Sequence, residues 1–297
     1  MDSGWYTRSG KALSPPGTGH RLLIGESLLN CNACGYLVRD GEAFCYKCGK
    51  PLAGEEPESP TQIERASGMV SWQGGQVAVG ILLILYCVAP VWGIGMLMGK
   101  LAGRFEVALG AWGSSHPMGL AILIVVWRLG LRPQRLSLAS LGLVAPSTSL
   151  VLTGLFALLA LAGSLSFTWV YANAVEYMGW QMLVPPGLPD GLVFPGVAAV
   201  ATYEALAVWT PLTEEIFFRG FVFAGLTPRL GIPRAIVVSA LVFSSFHIFF
   251  SIGVLVPIFV TGMLLAWLYH RTGSLWPGIA AHAGQNALAV SAVIIGG

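Results

Sequence analysis

Charged residues are scarce in this chain of 297 residues: only 10% are Asp, Glu, Lys or Arg, 55% are hydrophobic, and the mean hydropathy is +0.72. A soluble domain carries roughly 25% charged residues. The composition therefore excludes an ordinary soluble protein and predicts an integral protein of a lipid bilayer. The net charge of +2 gives no indication of a nucleic-acid-binding surface, so no nucleic-acid partner is expected.

The few charges are distributed unevenly, and this divides the chain. Residues 1–72 contain seven Lys or Arg and eight Asp or Glu, whereas residues 73–297 contain nine and six. We therefore predict a polar head and an apolar body. Within the head, residues 1–30 lack periodicity, lack the apolar core of a signal peptide, and are expected to be a disordered tail. Residues 51–72 are acidic and contain proline, as expected of a linker.

Cysteine is also rare, but four of the five cysteines are paired in sequence. Cys31 and Cys34 form one C-x-x-C pair, Cys45 and Cys48 form another, and each pair is followed by a glycine that allows the backbone to turn. This spacing is typical of a four-thiolate zinc site. We predict a zinc ribbon over residues 31–50, folded around structural zinc. Two disulfides are the less favoured alternative.

A closed four-cysteine site leaves no open coordination position for catalysis. The ribbon is therefore expected to be structural or to bind a cytoplasmic protein partner.

The apolar body contains seven runs that are long enough to cross a bilayer, which takes about 18 or more residues. We therefore predict an all-α polytopic membrane domain over residues 73–297, with about seven transmembrane helices. Pro211 is expected to kink the fourth helix. The predicted spans are Gln76–Gly99, Met118–Leu136, Leu150–Tyr171, Pro195–Leu226, Pro233–Ile252, Val254–Tyr269 and Trp276–Ile295.

Arginine and lysine in the short loops predict the orientation. If the N-terminus is inside the cell, the inner loops carry six arginines and the outer loops only Lys100 and Arg104. We therefore expect a multi-pass protein of the cytoplasmic membrane with a cytoplasmic N-terminus. The cysteine pairs would then lie where thiols stay reduced.

A cluster of charges interrupts the fourth apolar run, where each buried charge is costly unless it is paired or faces a cavity. Glu214, Glu215 and Arg219 lie within six residues. On a helix, Glu215 and Arg219 are i,i+4 neighbours that can pair, while Glu214 points about 100° away. Glu214 is thus free to face a different group.

Two further clusters lie in later apolar runs. Phe243 and His247 are four residues apart, as are His282 and Asn286. Any one of these residues could serve helix packing alone. Burying the whole set of polar and ionisable side chains in a membrane, however, costs more free energy than helix packing alone would justify. A carboxylate and an imidazole that converge on a water molecule can remove its proton. An imidazole and a carboxamide can hold the oxyanion of an attacked amide, so the set predicts hydrolysis.

The three clusters, in this order, resemble the motifs of the CPBP intramembrane protease family, the relatives of type II CAAX prenyl endopeptidases. The resemblance covers about Tyr203–Val290 and implies an all-helical membrane fold with a cavity that opens to the cytoplasmic side. Its motifs read E-E-x-x-x-R (Glu214, Glu215, Arg219), F-x-x-x-H (Phe243, His247) and H-x-x-x-N (His282, Asn286).

The resemblance also implies a role for each motif residue. Glu214 and His247 would activate water, and His282 and Asn286 would hold the oxyanion, with the second glutamate and the arginine as orienting groups. The substrate would be a membrane-associated or lipidated protein or peptide. The alternatives from other classes are a non-catalytic membrane scaffold or immunity-type protein, and a proton-coupled transporter.

A catalytic metal is a less favoured alternative. Glu214, His247 and His282 could supply three zinc ligands. However, the chain lacks the H-E-x-x-H arrangement of zinc proteases, and the carboxamide of Asn286 suits an oxyanion donor better than a zinc ligand.

Overall fold

The computed structural model describes residues 28–30, 34–39, 47 and 72–296, and the chain separates into two units, Met1–Ser59 and Pro60–Gly297. The first unit contains an antiparallel hairpin of β1 (Leu28–Asn30) and β2 (Leu37–Arg39). The tail predicted over residues 1–30 was therefore too long, because its last three residues pair with β2.

The first cysteine pair falls, in sequence, between these two strands. Gly35 has φ +68, the left-handed conformation expected for the turn glycine after that pair. Cys31, Cys45 and Cys48 lie outside the described residues, so the zinc ribbon stays a prediction. Most of the expected linker lies outside them as well.

The second unit opens with a helical hairpin of α1 (Gly74–Ala102) and α2 (Glu106–Val126). Glycines bring the two helices close together. A side chain at Gly99 would collide with the backbone of Glu106, where the hairpin turns. Beyond its α-helical part, α2 continues as a π-helical turn, Trp127–Leu131, and a short 3-10 turn. After an irregular connection follows α3 (Leu150–Tyr177), which begins where Ser149 accepts a hydrogen bond from the Leu152 amide.

A helical segment over residues 199–230 carries the two motif glutamates and changes geometry along its length. Pro211 lies in the first turn of one of its α-helical parts, where a missing N–H is tolerated. The chain therefore stays helical across Pro211. In order, the segment consists of α4 (Ala199–Tyr203), a π-helical stretch (Glu204–Trp209), α5 (Thr210–Glu215), a second π-helical stretch (Ile216–Phe223) and α6 (Ala224–Leu230).

Three helices complete the unit: α7 (Ile232–Ser245), α8 (Leu255–Thr272) and α9 (Trp276–Gly296). The predicted span Pro233–Ile252 was too long, since α7 ends at Ser245 and His247 lies in the following turn. α8 packs against both α3 and α7, and α9 packs against α3, α8 and the segment 199–230.

The core is built on the second π-helical stretch, whose residues are all buried. Phe217 and Phe221 stack on each other, and Trp72 stacks on Phe221 with ring centroids 5.7 Å apart. The Trp72 indole also donates a hydrogen bond to the Phe221 carbonyl at 2.9 Å. Trp72, at the end of the expected linker, is therefore part of the membrane unit.

Within the described residues, five helices rather than seven are long and apolar enough to cross a membrane. The segment 199–230 carries five charged residues, and α7, with 14 residues, is about 21 Å long, short of a hydrocarbon core of about 30 Å. The second candidate span starts at Glu106 instead of Met118. The five candidate spans are Gly74–Ala102, Glu106–Gln134, Leu150–Tyr177, Ile252–Thr272 and Trp276–Ile295.

The predicted integral membrane protein of mainly α-helical fold is thus confirmed. The orientation, and the membrane that holds the protein, stay predictions.

Candidate active site

A buried ion pair fixes one of the two adjacent glutamates. Glu215 and Arg219 are each 1% exposed, and Arg219 Nη1 donates to Glu215 Oε1 at 2.6 Å. The second guanidinium nitrogen donates to the carbonyl of Gly262 on α8 at 3.3 Å. The guanidinium also lies over the ring of Phe243, 4.4 Å from its centroid. Arg219 therefore ties the segment 199–230 to α7 and α8.

His282 of α9 lies between the two carboxylates. Its Nδ1 is 3.0 Å from Glu215 Oε1, and its Nε2 is 3.7 Å from Glu214 Oε2. Because a carboxylate accepts, Nδ1 carries the proton in the bond to Glu215. Glu214 keeps 20% of its side chain exposed, so of the two glutamates it is the one that the protein does not enclose.

The start of α9 sets the position of His282. α8 ends at Thr272 and is followed by Gly273, whose φ of +62 is left-handed, and the Trp276 amide donates to Ser274 Oγ at 3.3 Å in the turn that follows. Gly278 then brings the first turn of α9 against Glu215. A Cβ at this glycine would lie only 3.2 Å from Glu215 Oε2. That oxygen is buried and has no hydrogen-bond partner among the described residues.

The turn after α7 presents His247 beside Phe243. His247 Nδ1 is 3.0 Å from the Phe243 carbonyl, so Nδ1 carries the proton and Nε2 is left with a lone pair. The Phe243 ring lies edge-on to His247 and to His282, at centroid distances of 5.0 and 5.9 Å. Within residues 72–296, His247 makes no hydrogen bond or ion pair with Glu214.

Asn286 lies one turn after His282 on α9. Its amide nitrogen donates to the Leu206 carbonyl at 2.8 Å, in the first π-helical stretch. A carboxamide has two N–H groups, so one remains for another acceptor. The structure thus gathers both glutamates, Arg219, Phe243 and His282 through direct contacts, and joins His247 to them through Phe243. Asn286 is placed near them by its position one turn after His282 on α9 and by its bond to the segment 199–230.

Sequence reasoning missed a second acid–imidazole pair. His116 Nε2 is 3.1 Å from Glu204 Oε1, and the His116 ring stacks against Trp209 at 5.6 Å. Glu204 is half exposed. His116 had no visible signal, because it precedes the predicted start of its span.

No group of three or more His, Cys, Asp or Glu side chains is placed to hold a metal ion in the described part of the chain. Of the three residues considered as zinc ligands, His282 is already bonded through Nδ1 to Glu215, and His247 contacts a backbone carbonyl. Bonds of this kind through Nδ1 also orient histidines that bind a metal through Nε2, so a catalytic zinc ion stays the less favoured alternative.

A family model described as type II CAAX prenyl endopeptidase Rce1-like matches residues 196–288. The matched range is just under a third of the chain and contains all seven motif residues, from Glu214 to Asn286. Comparisons with curated proteins and with solved structures gave no match. The family match supports the resemblance to CPBP intramembrane proteases and, with the five apolar helices, a membrane-embedded peptidase.

Proposed function

We propose that the protein is an intramembrane endopeptidase that hydrolyses a peptide bond of a membrane-associated or lipidated substrate. The observation that carries this proposal is the placement of a partly exposed carboxylate, Glu214, 3.7 Å from His282 Nε2. The second glutamate, beside it in sequence, is fully enclosed by an arginine and the same histidine. One carboxylate is thus available for chemistry, and the other is fixed as support.

In the proposed reaction, Glu214 and His247 activate a water molecule. The lone pair on His247 Nε2 can accept a hydrogen bond or a proton from that water, because Nδ1 is committed to the Phe243 carbonyl. The water oxygen adds to the substrate carbonyl carbon while its proton passes to this acid–base pair. When the tetrahedral intermediate collapses, the carbon–nitrogen bond breaks and the same proton is delivered to the leaving amine.

His282 and Asn286 hold the oxyanion in this proposal. His282 donates from Nε2 only if its ring carries both protons, and the carboxylates on either side balance that charge. The second donor is the N–H of Asn286 that Leu206 does not use. Donors that are already oriented lose nothing to reorganisation as the charge develops.

Water must reach this site from within the membrane domain, and the short α7 supports such access. The irregular turn after Ser245 interrupts the helical backbone. Irregular backbone at membrane depth is tolerated only where protein covers it or where it lines a water-filled cavity. In this proposal, a water-filled cavity beside His247 meets this requirement and supplies the reactant.

We also propose that Cys31, Cys34, Cys45 and Cys48 bind a structural zinc ion, and that this ribbon docks a cytoplasmic protein partner or the substrate itself. The hairpin β1–β2, whose strands flank the first cysteine pair in sequence, supports the proposal.

The experiment compares cells that carry the unchanged protein, Glu214→Gln or Glu204→Gln. Both substitutions neutralise a glutamate of the segment 199–230, but Glu204 lies outside the motifs and pairs with His116. Mass spectrometry of new N-termini in the membrane fraction should show a terminus that disappears with Glu214→Gln and persists with Glu204→Gln. If no membrane-protein terminus depends on Glu214, the protease proposal is wrong.

A further inference from the structure

A polar cluster between α3, α8 and α9 has no part in the proposed chemistry. Ser164 Oγ lies 2.5 Å from Thr261 Oγ1 and 2.8 Å from the side-chain amide of Gln285. Ser164 and Thr261 are both buried. Hydrogen bonds of this kind between membrane helices fix one helix against another, so the cluster determines how α9 sits against α3 and α8.

Each hydroxyl of the cluster also has a second partner. Thr261 Oγ1 donates to the Pro257 carbonyl of its own helix at 3.0 Å, and Ser164 Oγ donates to Gln285 Oε1. Ser164 of α3 therefore links α8 to α9.

One end of this chain of bonds meets the ion pair of the active site. Thr261 is followed on α8 by Gly262, whose carbonyl accepts from Arg219 at 3.3 Å. Arg219 in turn donates to Glu215. The hydroxyl of Thr261 therefore holds the stretch of α8 that the arginine uses as its anchor.

The other end meets the site through α9. Gln285 lies three residues after His282, so the two side chains are neighbours along the helix. His282 donates to the same Glu215 carboxylate that Arg219 holds. These polar contacts, together with the backbone of α8 from Thr261 to Gly262 and that of α9 from His282 to Gln285, thus form a closed ring through α3, α8, α9 and the segment 199–230.

We propose that Ser164, Thr261 and Gln285 are positioning residues that hold His282 against Glu215. Opening the ring away from the site lets α9 shift relative to α8, and the His282–Glu215 bond lengthens. The inference rests on the proposed function for its activity readout only. Its spectroscopic readout is independent of any substrate.

The test uses the full-length protein with Ser164→Ala and Thr261→Val, each of which removes one hydroxyl from the ring. Thr168→Val is the matched control, because Thr168 donates to the Ser164 carbonyl within its own helix at 2.9 Å and takes no part in the ring. Ser164→Thr keeps the hydroxyl and should restore the unchanged behaviour. The probe is nitrogen-15 histidine in detergent micelles, with the His282 signals assigned by their loss in His282→Gln.

In the unchanged protein, His282 should show a hydrogen-bonded Nδ1 proton. Ser164→Ala and Thr261→Val should shift that signal towards the position of an unbonded proton, and Thr168→Val should not. Cleavage that depends on Glu214 should fall roughly 10-fold or more, since a misplacement of about 1 Å can cost about 100-fold in rate.

The outcomes separate the two proposals. If Ser164→Ala and Thr261→Val leave the His282 signal in the same position as Thr168→Val does, the positioning role is wrong, even if the rate of cleavage falls. If the signal shifts but the unchanged protein cleaves nothing, the ring stands and the protease proposal fails.

Discussion

Glu215 accepts a hydrogen bond from His282 Nδ1 at 3.0 Å, and this contact joins the segment 199–230 to α9. Glu214, the neighbouring residue, faces Nε2 of the same ring at 3.7 Å. The two adjacent carboxylates therefore hold opposite sides of one imidazole. Because Glu215 is enclosed and Glu214 is partly exposed, a substitution of Glu215 should have a different consequence from a substitution of Glu214.

Arg219→Ala should destabilise the fold strongly. Removing the guanidinium leaves Glu215 as an unpaired charge in the interior, which typically costs about 3–5 kcal/mol. Thermal unfolding of the purified protein in detergent measures the effect. Arg234→Ala, at an exposed position in the first turn of α7, is the control and should change little. Equal stability of the two variants would contradict the role given to the ion pair.

The ion pair of Glu215 and Arg219 could be predicted from the sequence, because the two residues are four positions apart on one helix. The contact of Glu215 with His282 spans 67 residues and depends on how α9 packs, which no local pattern states. The same holds for the ring through Ser164 and for His116, whose acid partner lies 88 residues away.

Hydropathy located the apolar runs but not their geometry. An apolar window indicates that a segment is buried in lipid or protein, whether it is α-helical, π-helical or a turn. For this reason the π-helical stretches of the segment 199–230 were not foreseen, and His247 was placed on a helix that ends at Ser245. The clusters themselves were visible because ionisable groups are rare in such surroundings.

Gly278→Ala should disturb the site through Glu215. The new methyl group would lie 3.2 Å from Glu215 Oε2, so the carboxylate must move and its bond to His282 weakens. We expect a loss of stability of about 1–3 kcal/mol from overpacking, together with reduced cleavage. The measurements are thermal unfolding and the yield of the Glu214-dependent terminus.

Gly284→Ala is the control for this substitution on the same helix. Its Cβ would meet only Leu161, at an ordinary distance of 3.4 Å, and alanine favours a helix over glycine by about 1 kcal/mol. Gly284→Ala should therefore preserve cleavage and stabilise α9. The argument fails if the two alanine variants behave alike.

Asn286→Ala should separate catalysis from folding. The variant loses the interhelical bond to Leu206, worth roughly 0.6–2 kcal/mol in membrane proteins. It also loses a proposed oxyanion donor, whose removal typically costs about 10²–10³-fold in rate. Rates of cleavage and unfolding temperatures, measured on the same preparation, give both quantities.

The control for Asn286 is Asn173→Ala, since Asn173 donates to the Trp169 carbonyl of its own exposed helix face. It should leave the rate unchanged. If the cleavage rate of Asn286→Ala falls only as far as its loss of stability explains, Asn286 is not an oxyanion donor.

The zinc proposal predicts about one zinc ion per chain, because four thiolates complete a tetrahedral site. Metal analysis of the full-length protein purified under reducing conditions tests this directly. Cys45→Ser should lose the metal, while Cys87→Ser, which alters a cysteine of α1, should retain it. Zinc that persists in Cys45→Ser would place the metal elsewhere.

Deleting Met1–Ser59 should leave the membrane unit folded, because the structural boundary of the two units falls after Ser59. The shortened protein should keep its unfolding temperature and its Glu214-dependent cleavage, with a change in which proteins are cut if the ribbon docks them. Loss of all cleavage would instead make the head part of the active enzyme.

Trp72→Ala, made in the protein that lacks Met1–Ser59, tests whether Trp72 belongs to the core of the membrane unit. The indole is fully buried against Phe221 and bonded to its carbonyl, so we expect a loss of about 3–5 kcal/mol. Trp72→Phe keeps the stacking but not the hydrogen bond, and should cost less. If Trp72→Ala unfolds at the temperature of the shortened parent, Trp72 contributes nothing to the core, and the second unit starts later in the chain.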